Sequence, residues 1–110
     1  MDRHSIVDFF NFILQRVYEP KLISDTFIIN ALDEVIKDVR YHFPNKDEVD
    51  IIENIKTNQN ELTLFLFRLG SALHMANLEG LKPQIHFLMK DLCGCEIYFN
   101  SIIDEGFYII

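Results

Sequence analysis

A chain of 110 residues that is 49% hydrophobic and 13% aromatic is long enough for one domain with its own core, and too apolar to stay disordered. Ten basic against seventeen acidic side chains give a net charge of −7, and no run of Lys or Arg forms the stripe that phosphate backbones or anionic lipid surfaces attract, which argues against nucleic acid or a membrane surface as partner. The apolar N-terminus is interrupted by Asp8, Asn11, Gln15 and Arg16 and has no small-residue cleavage site, so neither a signal peptide nor a transmembrane span is read there and a cytoplasmic location is expected.

Apolar residues recurring three and four apart predict helices over most of the chain. The first carries Ile6, Phe9, Phe10, Ile13, Leu14 and Val17 on one face, and Pro20 helps to end it. A second opens after Ser24 or Asp25, either a suitable N-cap, turns Ile28, Ala31, Leu32, Val35, Ile36 and Val39 inward, and stops by Pro44. Its outer face is Asp33, Glu34, Lys37 and Asp38. A weaker third helix after Asn45 places Val49, Ile52 and Ile55 inward, and ends in the polar run Thr57-Asn58-Gln59-Asn60. The fourth starts at Asn60 and is apolar on nearly every side between Leu62 and Leu69, as a central buried helix would be, with Gly80 as its expected C-cap. A fifth, with Pro83 in its first turn, presents Ile85, Leu88, Met89 and Leu92 inward before Gly94 closes it.

Beyond Gly94 the helical period fails. Ile97, Ile103 and Ile109 stand six apart, with Gly106 in the fourth place of the hexapeptide that starts at Ile103. Such a period fits the first coil of a left-handed parallel β-helix, or else an edge hairpin or an extended tail packed on the helices. A lone part-coil cannot pair its own backbone groups, so residues 97–110 are expected to fold back on the helices or to pair with a second copy of the chain. The predicted fold is therefore all-α: a five-helix, bundle-like domain over residues 1–95, then an extended segment over 96–110.

The run Phe67-Arg68-Leu69-Gly70, the helix after it, the extended Glu96-Ile97-Tyr98-Phe99 and the hexapeptide Ile103-Asp104-Glu105-Gly106-Phe107-Tyr108 together resemble the junction of serine O-acetyltransferases. There, two helices ending an N-terminal helical domain lead into the first coil of a left-handed β-helix. The resemblance implies a parent enzyme of cysteine biosynthesis that uses acetyl-CoA as co-substrate, with a helical domain that assembles oligomers and buttresses the active site. The family's catalytic histidine and its acetyl-CoA groove fall in coils beyond position 110, and the loop Thr57-Asn58-Gln59-Asn60 lacks the family's Asp-Pro pair. Accordingly, no catalytic, cofactor-binding or metal residue and no small-molecule site are expected within these 110 residues, which are predicted inactive by themselves. The partner expected is a second copy, in a dimer made through the N-terminal helices. The alternative reading is a stand-alone, non-catalytic helical interaction module.

The residues that carry chemistry elsewhere read as structural here. His4, His42, His74 and His86 lack an evident Cys, Ser or carboxylate held by a third group; His74 and His86, on neighbouring helices, could approach each other or Cys93. Asp33, Glu34 and Asp38 lie close together but opposite an apolar stripe, as a solvated face does. Arg68, in the most apolar helix, needs an acidic partner, for which Glu61, Asp91 and Glu96 are the candidates. Cys93 and Cys95 flank a glycine; two thiolates make half a tetrahedral zinc shell and a disulfide across so short a loop would be strained, so two free, mostly buried thiols are expected.

Overall fold

The computed structural model describes residues 3–95, 97–99 and 103–107. Five α-helices run in order: α1 (His4–Leu14), α2 (Asp25–His42), α3 (Glu48–Thr57), α4 (Gln59–Met75) and α5 (Lys82–Cys93), with a single 3-10 turn at Glu79–Leu81. No strand occurs among the described residues. The described part of the chain is thus the predicted helical bundle, whereas the β-helix start is not seen; Ile109 of the six-residue register, like Glu96, lies outside the described residues.

Helix starts follow from side-chain oxygens that satisfy otherwise orphaned backbone donors. Ser24 rather than Asp25 caps α2, accepting from the Thr26 N–H, while Asp47 caps α3 through Val49 and Asn58 caps α4 through Asn60. The ends differ from the sequence expectation at two places. Helix α1 stops at Leu14, and i→i+3 hydrogen bonds carry the chain on to Val17, well before Pro20. Helix α4 ends at Met75 with Ala76 as its cap and Asn77 at φ +60, so the expected C-cap Gly80 sits instead within the 3-10 turn. Gly94 does close α5, in the left-handed conformation at φ +69.

Helix α4 is the central element, packing against α2, α3 and α5. Leu64, Phe65, Leu66, Phe67 and Leu69 on it are all buried, as its all-round apolar sequence predicts. The stripes of α1 and α2 close over the same core: Phe10 meets Phe65 edge to face with ring centroids 6.3 Å apart, and Ile28, Leu32 and Val35 are fully covered. In α3 the inward residues are Ile51, Ile52 and Ile55; Val49, expected inward, is 42% exposed. Its place is taken by Ile51 because the short helix turns its first residues toward the surface. The loop between α1 and α2 is tied to α5 by Gln84, whose amide accepts from the Lys21 N–H at 2.9 Å and donates to the Lys21 carbonyl at 2.7 Å.

Candidate functional site

The face shared by α2 and α4 holds a charged cluster where an amphipathic reading puts none. Arg68 grips Asp38 with two parallel hydrogen bonds, Nε to Oδ2 and Nη2 to Oδ1, each 2.8 Å long. Asp38 is fully buried and the Arg68 side chain nearly so. Two charges removed from water are tolerable only if their remaining donors and acceptors are satisfied. Here the C-terminal segment supplies them: Nη1 donates to the Ile103 carbonyl at 2.8 Å, Nη2 to the Asp104 carbonyl at 3.0 Å, and Asp38 Oδ1 accepts from the Gly106 N–H at 2.9 Å. One turn along α2, His42 Nε2 bonds the Gly106 carbonyl at 2.7 Å. Both backbone groups of Gly106 are therefore held by side chains four apart on one helix.

Shape completes the hold. A Cβ on residue 106 would stand 2.7 Å from the Tyr41 ring, and Gly106 sits at φ +95, so only glycine fits. Phe107 packs edge to face on Phe67 at 5.4 Å, and the Arg68 guanidinium lies 5.6 Å and 6.0 Å from the centroids of these two rings. Upstream, Phe99 is buried in a notch over Gly70, where a Cβ would meet its ring at 2.4 Å. Its ring stacks on His86 at 4.1 Å, and the Ile97 N–H donates to Met89 Sδ at 3.3 Å. The described tail thus folds back on the helices, seated by hydrogen bonds to its backbone and by the packed rings of Phe99 and Phe107.

Asp38 corrects two sequence expectations. The sequence pattern puts it on the solvated outer face, yet it is the partner of Arg68. Of the expected partners, Asp91 pairs with Arg16 on the surface, Glu61 lies beside Val39, Ile51 and Asn54, and Glu96 is outside the described residues. The other two members of the acidic group are spent on the surface: Asp33 pairs with Arg3 and Glu34 with Lys37. The signal in the sequence was angular. Asp38 follows Ala31 by seven residues, about 20° around the helix, and so sits at the edge of the apolar stripe rather than opposite it.

The histidines go to separate partners. His74 Nδ1 meets Lys82 Nζ at 2.8 Å, and Lys82 also pairs with Glu79 at 2.8 Å; that ammonium contact holds the Glu79 carboxyl below its ordinary range. His86 is taken by Phe99, His42 by Gly106, and His4 is exposed. Both Asp38 oxygens are engaged, so neither is open to take a proton from a substrate. Among the described residues no group of three or more His, Cys, Asp or Glu is arranged to hold a metal ion, and no helix is long and apolar enough to cross a membrane. What the arrangement does chemically is bind the backbone of the tail at and just before its turn at Gly106. No family model, curated protein or solved structure matches the chain.

Proposed function

We propose that this chain is the N-terminal helical domain of a serine O-acetyltransferase-like, acetyl-CoA-dependent enzyme, working in the cytoplasm as a scaffold rather than as the site of acyl transfer. The observation that carries the reading is the seat on α2 and α4: Asp38, Arg68 and His42 read the backbone of Ile103, Asp104 and Gly106, and Gly70 receives Phe99. Such a seat fixes the direction in which the hexapeptide segment leaves the helices. A domain that must present the first coil of a β-helix at a set angle needs that kind of hold, because each coil is stabilised only by its neighbours.

Self-association belongs to the same proposal, with its surface revised. The apolar stripes of α1 and α2 pack against the chain's own core, with Phe9 and Val17 partly buried there. Phe12, Tyr18 and Leu22, at and beyond the end of α1, are exposed, and exposed Phe87 of α5 lines one cleft with Tyr18. The dimer is proposed through that surface, and the same surface favours the second reading, an interaction module without catalytic coils.

The coding sequence past the codon for Ile110 separates the two. Hexapeptide repeats with a histidine early in the next coil are expected; a stop codon there overturns the parent-enzyme reading and leaves the module. A functional test follows from grafting residues 1–110 onto the coils of a serine acetyltransferase stripped of its own helical domain. The graft is expected to restore higher assembly and serine acetylation, and its Arg68→Met variant is not. Residues 1–110 alone are expected to transfer no acetyl group from acetyl-CoA to serine, and turnover dependent on His74 or His86 would refute this.

A further inference from the structure

The two cysteines stand at the hinge between α5 and the docked tail, flanking Gly94. With Gly94 at φ +69 and ψ +19, the backbone there is the mirror of one helical turn. Helical radius and rise then put the Cys93 and Cys95 Cα atoms about 5.4 Å apart, inside the roughly 4.4–6.8 Å window of disulfides. An extended glycine would set them about 6.6–7.2 Å apart, at or past the edge of that window. The left-handed cap therefore holds the two Cα atoms at a spacing that a disulfide can span.

Thr63 Oγ1 gives its own hydrogen to the Gln59 carbonyl at 2.8 Å and accepts from Cys95 Sγ at 3.6 Å. Both cysteine side chains pack, partly buried, against the helical core. Both are free thiols and half-buried rather than mostly buried, Gly94 between them is exposed, and nothing lies within 4 Å of where its Cβ would be, so the loop has room to adjust. They are the chain's two cysteines, and neither has a rival within it.

We infer that Cys93 and Cys95 form a dithiol site that reduces low-molecular-weight disulfides of the glutathione type and closes an intrachain disulfide in return. Cys95 loses its proton to solvent and its sulfur attacks the disulfide; a Cys95–glutathione bond forms and one glutathione thiolate leaves. Cys93 then loses its proton and attacks the Cys95 sulfur, expelling the second glutathione. Two electrons and two hydrogens pass from the protein to the disulfide, which becomes two thiols. Burial pushes the Cys93 thiol up, which suits it to the second step, where proximity offsets a small thiolate fraction.

The test is mass spectrometry and maleimide labelling of the full chain after incubation with excess glutathione disulfide. The expected product is monomeric, lighter by two hydrogens, free of adduct, and closed to maleimide until reduced. Cys93→Ser should stop at a single glutathione adduct on Cys95. Gly94→Val keeps both thiols but disfavours the left-handed turn, and should accumulate adducts in place of the ring. Two adducts on the natural chain, a disulfide to a second copy, or two thiols that remain free would each overturn the assignment.

Discussion

Replacing Gly70 by Ala sets two sizeable effects against each other, and the structure decides the sign. In the middle of α4 the change alone should stabilise by about 1 kcal/mol, the difference between glycine and alanine in a helix interior. The added Cβ, however, falls 2.4 Å from two Phe99 ring carbons and 2.5 Å from a third, closer than atoms can stand. Phe99 is walled in by His86 and Phe67, so its ring must leave the notch. Uncovering a large apolar side chain forfeits roughly 1.5–3 kcal/mol. The net result is a destabilisation of about 0.5–2 kcal/mol, from the same two estimates. The assay is urea unfolding of four chains: natural, Gly70→Ala, Phe99→Ala and the double variant. Once Phe99 is truncated the obstruction is gone, so Gly70→Ala should then stabilise. A Gly70→Ala change with the same sign and size in both backgrounds would refute the notch and, with it, the seating of the tail on α4.

Three further outcomes test the remaining contacts. Arg68→Met leaves Asp38 buried without its cation and should cost about 3–5 kcal/mol in chemical unfolding, and adding Asp38→Asn should recover part of this; a loss within the range of ordinary surface changes would contradict the buried pair. Gly106→Ala cannot keep φ +95 beside the Tyr41 ring, so hydrogen exchange at 103–107 should rise sharply while α4 stays protected; unchanged protection would mean the glycine is not being read. Glu48 is held below the ordinary carboxylate range, first by its hydrogen bond from Arg3. A depressed carboxylate contributes stability above its unfolded pKa, and this is lost as the pH falls through the folded value. Because the Arg3 side chain is 43% exposed, the effect is a surface one of about 0.2–1 kcal/mol. The gap in unfolding midpoint between the natural chain and Arg3→Ala should therefore close below the carboxylate range, and a gap that persists there would count against the pairing.

The helices and the rank of α4 as the buried one are written in the sequence, because apolar period and capping residues act within a few positions of each other. Gly94 was legible as a helix end for the same local reason. The exchange of Val49 for Ile51 and the early end of α4 at Met75 were not, since each depends on where a neighbouring element leaves room. Asp38 shows the limit most clearly. Its place at the edge of the α2 stripe and the need of Arg68 for an acid were both present in the sequence, but thirty residues separate them. Only the packing of α2 on α4 decides which carboxylate arrives. The identity of Gly106 as a read position likewise needs Tyr41 and His42 brought against it across more than sixty residues. Local pattern determined which segments are helical and which face each buries. The charged seat for the tail, and the meeting of Cys95 with Thr63, were decided by tertiary structure, because a hydrogen bond constrains positions in space and leaves no period along the chain.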